Sequence, residues 1–370
     1  MGSFLVRNPI PDMQKLLSRC KRQVWKLVAA LCFYSPMLRW MNRFSNHFQL
    51  RKNTRGALAF PFIKKRRYRN FQIFVYHRIN NEFDPFFPAV PVDVFEKQME
   101  YLASHFHVCS LEKVIEMAKK KDIPDNTVVI TFDDGYKDNY WNAFPILKKL
   151  SLPATIFLAT DCIGTGKVLW HDVVFAAFRE TQEPFLAGYG MNLKDYPLRT
   201  VEERRFAHRQ VLNFLRTLED HERSLWIQRL VEKLKVTGKK DEADLMLSWE
   251  EVRIMQQQGI SFGSHTVTHP ILSRLPADKV REEVVRSKET IEEKLGAPVS
   301  TFAYPSGRKQ DFTEITKNIL KEAGYECAVT MIFGTNEHDQ DLFELRRGIP
   351  WENHLPTFAV KLNWYKLYPN

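Results

Sequence analysis

From residue 71 onward the chain repeats one pattern: a short, uninterrupted apolar run, then a stretch of helical spacing. The runs are Phe71–Tyr76, Thr127–Phe132, Pro153–Ala159, Ile260–Gly263, Val299–Tyr304 and Tyr325–Thr330. They are too short for core helices and rich in β-branched and aromatic residues, so they read as buried strands. Val94–Ser104, Leu111–Lys120, Trp249–Gln258, Ala277–Leu295 and Asp311–Ala323 carry the helical spacing. Strands alternating with helices predict an α/β fold, either a parallel sheet or a barrel. Both gather their chemistry at the carboxyl ends of the strands. Residues of about 170–246 break the alternation with a charged helical pair, Val201–Leu218 and Glu222–Lys235, the first opened by a capping box of Thr200 and Glu203. This reads as a helical insertion, either a cap over the barrel or a solvated decoration.

Three strand ends carry candidate chemistry. Thr131-Phe132-Asp133-Asp134-Gly135 ends a buried strand in two adjacent carboxylates. Neighbouring residues leaving a strand point in different directions, so one can bind a metal while the other stays free as a base. Alone, Asp-Asp-Gly is also an ordinary turn. Gly263-Ser264-His265-Thr266-Val267-Thr268-His269 follows another strand, and two histidines four apart fit one divalent ion. Two histidines and one carboxylate, with positions left for water, make a catalytic set rather than a closed structural one. Phe302-Ala303-Tyr304-Pro305-Ser306-Gly307 turns sharply and frees backbone amides that can bind an oxyanion.

In order, spacing and context, the Thr-Phe-Asp-Asp-Gly and His-Thr-x-x-His segments resemble the polysaccharide deacetylases, the NodB homology domain of carbohydrate esterases. The resemblance covers residues of about 71–350 and implies a distorted (β/α) barrel. It implies Asp133 as general base and Asp134, His265 and His269 as ligands of zinc or another divalent transition metal. The family's third motif usually reads Arg-x-x-Pro-Tyr; here Phe302 stands at the Arg position and Ser306 at the Tyr position. The Ser306 amide is then the expected oxyanion donor, and Arg347, from the last strand, the expected replacement for the arginine that orients the base. The family's late Leu-x-His motif is not evident. Phe74-Val75-Tyr76-His77 instead resembles the branch of poly-N-acetylglucosamine deacetylases whose N-terminal Tyr-His motif supplies the general acid, which would be His77. Trp249 resembles the tryptophan of the fourth motif, and Trp170-His171-Asp172 a Trp-rich stretch of the subgroup to which no role is assigned.

Charge divides the chain differently. Residues 1–70 hold 16 Lys and Arg against one acid, Asp12, a local charge of +15, which leaves −5 on the rest of a chain whose total is +10. Leu16, Leu17, Cys20, Val24, Leu27, Val28 and Leu31 share one third of a helical wheel, with Lys15, Arg19, Arg22 and Lys26 largely opposite. Such a basic amphipathic helix can lie in a membrane interface, whereas the uncharged run Leu27–Leu38 is too short to span one. Residues 1–70 therefore read as an N-terminal extension and linker, and residues 1–60 as a segment for peripheral binding to anionic membrane. The main domain, 71–370, shows no zinc-finger spacing, RNA-binding signature or basic stripe, so nucleic acid is not an expected partner. Five cysteines, an odd number without a CxxC, make no disulfide framework. Free thiols and the lack of a cleavage-site pattern favour the cytoplasm, or the inner face of the cytoplasmic membrane.

The expected activity is metal-dependent hydrolysis of acetyl groups from N-acetylhexosamine residues of a polysaccharide or glycan precursor, with the acetylated glycan as partner. An O-acetyl glycan esterase, a degenerate glycan-binding domain and a membrane-surface scaffold remain alternatives.

Overall fold

Runs such as Thr127–Phe132, in which every side chain is buried, need cover on both faces of their sheet. A computed structural model supplies that cover, describing residues 22–31, 33, 70–190, 194–236, 244–348 and 352–367. The chain divides into two units, one of residues 69–351 and one of residues 1–68 with 352–370.

In the larger unit the strands are β1 (Asn70–Tyr76), β2 (His107–Val108), β3 (Thr127–Phe132), β4 (Thr155–Leu158), β5 (Phe185–Tyr189), β6 (Lys194–Pro197), β7 (Ser261–Ser264), β8 (Thr301–Ala303), β9 (Cys327–Val329) and β10 (Asn336–Glu337). The main sheet runs β10-β1-β3-β4-β7-β8-β9, with β2 also paired to β3. Every pairing in it is parallel except β1 with β10. β1 and β3 align from Phe71 opposite Thr127 to Tyr76 opposite Phe132, so both end at one level. The sheet curls until the segment from Leu345 to Gly348 bridges its two sides: Leu345 pairs with Val329 of β9 and Gly348 with Phe74 of β1. This is the expected distorted (β/α) barrel. Gly263 shows how tightly it closes, because a Cβ there would stand 2.6 Å from the Phe157 ring and from Thr301 Oγ1.

The helices Val92–His105, Leu111–Lys119, Trp249–Gln257, Ala277–Leu295 and Glu314–Glu322 fall where the spacing predicts them. The interruption holds the helices Trp170–Glu180, Val201–Leu215 and Asp220–Leu234 and the β5–β6 hairpin. Thr200 and Glu203 form the reciprocal cap. These elements bury a core of their own, including Phe178, Leu186, Tyr189, Leu215 and Leu230.

In the smaller unit residues 22–31 are helical, and Val24, Leu27, Val28 and Leu31 are exposed. The expected continuation through Leu16, Leu17 and Cys20, and the linker Arg51–Asn70 apart from Asn70 itself, lie outside the described residues. No helix among the described residues is long and apolar enough to cross a membrane.

Candidate active site

Strand ends bring the expected residues together. His77 follows β1, Asp133 and Asp134 follow β3, His265 follows β7, and Arg347 lies in the segment that closes the barrel. Their loops hold uncommon backbone: Asp134, Thr266, His269 and Ser306 have φ of 76°, 70°, 58° and 59°. For a β-branched residue such as Thr266 this is a true outlier, and clustered strain of this kind marks sites that the surrounding structure holds in place. The Thr266 hydroxyl accepts from the His269 amide at 3.0 Å, and the Trp170 indole donates to the His269 carbonyl at 3.1 Å.

Asp134 Oδ1 lies 3.5 Å from His265 Nε2 and 3.4 Å from His269 Nε2, with all three residues buried. Tetrahedral bonds of about 2.1 Å put ligand atoms about 3.4 Å apart, so the trio already has the span of a divalent-ion site. Two further observations fit an ion. Asp134 Oδ1 is buried without a hydrogen-bond partner. His265 Nδ1 lies 2.7 Å from the Ala303 carbonyl, so Nδ1 carries the proton and Nε2 presents its lone pair to the trio. Burial opposes the charge on Asp134, but His265, His269, His77 and His171 more than offset it and hold the carboxyl well below the usual range. Burial, reinforced by neighbouring His265, keeps His269 neutral, the form that ligates.

Asp133 is clamped from the far side. Arg347 donates Nη1 to its Oδ1 at 2.7 Å and Nη2 to its Oδ2 at 2.6 Å, a bidentate pair with both side chains buried. The Arg347 Nε holds the Thr330 carbonyl at 2.7 Å, which fixes the fork. Burial alone would raise the Asp133 pKa; Arg347, then His265, more than reverse this and keep it below the ordinary value. Phe302, at the motif's arginine position, is fully buried against Tyr304 and Tyr325. His77 Nε2 stands 4.0 Å from Asp133 Oδ2 and from Asp134 Oδ2, and its Nδ1 is buried without a partner. Ser306 occupies the turn after β8, the strand whose Ala303 carbonyl holds His265. Trp249 opens its helix against Gly164.

The sequence left His171 without a role. The insertion helix Trp170–Glu180 brings its Nε2 to 4.0 Å from Asp134 Oδ2 and 3.2 Å from the Tyr136 hydroxyl, which donates to Asp172 at 2.9 Å. A helix N-terminus at the start of an insertion carries no strand-end signal, so spacing could not place it. The insertion thus contributes side chains to the site.

The family model for polysaccharide deacetylase matches residues 120–183 and 205–328. The chain belongs to this family. A Bacillus subtilis relative described as a polysaccharide deacetylase, YxkH, is 24% identical over 288 residues, which are 77% of this chain and 73% of that one. The Staphylococcus aureus (strain MSSA476) poly-beta-1,6-N-acetyl-D-glucosamine N-deacetylase is 32% identical over 127 residues, 30% of this chain and 43% of that protein, so the match spans less than half of it. Among solved structures, the Streptococcus pyogenes deacetylase PplD superposes with a TM-score of 0.52 at 22% identity, covering 79% of this chain and 99% of its own. IcaB from Ammonifex degensii gives 0.52 at 20%, covering 80% and 97%. Both share the curled parallel sheet found here.

Proposed function

We propose that this polysaccharide deacetylase is a metal-dependent hydrolase that removes acetyl groups from N-acetylhexosamine residues of a glycan. The observation that carries the reading is the division of labour between the adjacent carboxylates: Asp134 faces two histidines at ligand spacing while Asp133 faces Arg347 and His77. Asp134, His265 and His269 would hold zinc or a related divalent ion, which when bound acidifies water and polarises an acyl carbonyl. Asp133, ionised and oriented by Arg347, accepts the proton of the attacking water. The Ser306 amide, in the turn after β8, would be the donor to the developing oxyanion. As the C–N bond breaks, His77 donates a proton to the departing nitrogen, so acetate and a free amine leave. The likeness to the S. aureus N-deacetylase supports an N-acetyl rather than an O-acetyl substrate. The test is acetate release from a panel of N- and O-acetylated glycans, with the amine or hydroxyl product identified. Release from O-acetyl substrates alone would give the esterase, and release from none would leave a glycan-binding domain.

We further infer peripheral attachment to the anionic inner face of the cytoplasmic membrane through residues 1–60. Two features support this. Residues 1–70 carry a charge of +15, and Leu27 and Leu31 of the helical stretch are 66% and 72% exposed. Apolar side chains bared on a basic helix suit a lipid interface that supplies both hydrocarbon and negative charge.

A further inference from the structure

One side of Asp134 has no assigned use. Its Oδ1 faces the two ligand histidines, while its Oδ2 faces His77 and His171, each with Nε2 at 4.0 Å. Phe87, in the loop between β1 and the helix Val92–His105, stands at nearly equal distance from these two rings, 6.3 Å from His77 and 6.2 Å from His171 between centroids. Its ring is fixed by packing, 4.7 Å from Phe175 and 5.4 Å from Tyr136. The same ring forms part of the wall of a cavity of about 690 Å³ that Arg78, Asp138 and Trp141 also line, and the Arg78 guanidinium lies 5.9 Å over it. The Phe87 ring, with Phe175 beside it at 5.4 Å from the His171 ring, thus borders both these histidines and a space far larger than an acetyl group.

We propose that Phe87 sets the length of acyl chain that the site accepts. The inference rests on the deacetylase reading. An acyl carbon attacked beside Asp133 carries three other substituents. The oxygen would face the ion that Asp134, His265 and His269 hold, with the Ser306 amide as its other donor, and the nitrogen goes to His77. The methyl group needs an apolar neighbour, and beside His77 the Phe87 ring offers that surface. Acetyl fits against it. A longer chain meets a ring that Phe175 and Tyr136 hold in place, although open volume lies behind it.

The experiment measures kcat/KM for glucosamine oligomers carrying N-formyl, N-acetyl, N-propionyl and N-butyryl groups. It uses the full chain loaded with zinc, with metal content and thermal melting recorded for every variant. For the wild-type protein, kcat/KM should fall beyond acetyl by about tenfold or more per added methylene, the range over which pocket walls discriminate one carbon. Phe87→Ala opens the wall, and its acetyl-to-butyryl ratio should shrink at least tenfold. Phe87→Leu, the milder variant should Phe87→Ala fail to fold, should shift the ratio in the same direction by less. An unchanged ratio in a folded, metal-loaded variant overturns the proposal, as does a wild-type protein that turns over acetyl and butyryl equally. A wild-type protein that releases no acid from any N-acyl substrate overturns the deacetylase reading as well. Activity with unaltered selectivity overturns the role of Phe87 alone.

Discussion

Arg347→Met removes the clamp on the base and should be read first as a stability experiment. Arg347 is 1% exposed and Asp133 is 2% exposed, with two bonds of 2.7 and 2.6 Å between them. Deleting one partner of such a pair leaves an uncompensated buried charge, at a cost of about 3–5 kcal/mol. The pH dependence gives the sharper signature. In the wild-type protein, burial pushes the Asp133 pKa up but Arg347 brings it below the ordinary value. A depressed folded pKa contributes stability above the unfolded pKa of about 3.9, lost as pH falls through the folded value. Without Arg347 the burial remains, opposed only by His265 and His77, and the folded pKa is expected to rise above the unfolded one. The penalty is then full above that raised value and disappears as pH falls toward about 4. The deficit of the variant should therefore be largest near pH 7 and shrink steadily on acidification, as measured by urea unfolding at several pH values. Arg347→Met with Asp133→Asn should recover much of the loss at neutral pH, because an amide needs no counter-charge. A deficit below about 1 kcal/mol that ignores pH, or a double variant no more stable than the single one, would refute the account.

His265→Ala with His269→Ala should abolish both bound zinc and acetate release, and stoichiometric metal in that protein by elemental analysis would place the ion elsewhere. His77→Ala should keep its metal and lose N-acetyl turnover by about 10²-fold or more, while an activated aryl acetate, whose leaving group needs no proton, loses much less. Equal losses on both substrates would remove His77 as the acid. Deleting residues 1–60 should release the protein from anionic liposomes and leave soluble-substrate turnover largely intact; unchanged sedimentation with liposomes would count against the membrane segment.

The parts of this molecule legible in its sequence were those set by local rules. Strand ends were readable because β-branched runs such as Thr127–Val128-Val129-Ile130 have few other ways to bury themselves. Asp133, Asp134 and His265 were readable because they leave strand ends directly, and His269 because it stands four residues after His265. His171 and Phe87 were not, because neither follows a strand run. His171 opens an insertion helix, and Phe87 sits in a loop whose turns are held by the Asp84 carboxylate accepting from the Phe86 and Phe87 amides. The approach of His171 to Asp134, and of Phe87 to the His77 and His171 rings, is a property of tertiary packing.

Arg347 lies between these cases, and its position explains why a guanidinium can leave a motif without leaving a site. The carboxylate it clamps ends β3, and the neighbour of β3 in the sheet is β1. On the other side of β1 lies the closing segment, anchored by the Gly348 amide to the Ile73 carbonyl at 2.7 Å and by the Val75 amide to the Gly348 carbonyl at 3.1 Å. These two bonds fix the register of residue 347 against β1, and β1 is in turn fixed against β3 over six residue pairs. The guanidinium is therefore delivered to Asp133 through the sheet's own pairing, across 214 residues of sequence. A closed parallel barrel surrounds one carboxylate with several strand ends at one level, so the constraint on the charged partner is its place around the ring rather than its place in the chain. With that charge supplied from the closing segment, the β8 position is free to be apolar, and Phe302 fills it against Tyr304 and Tyr325.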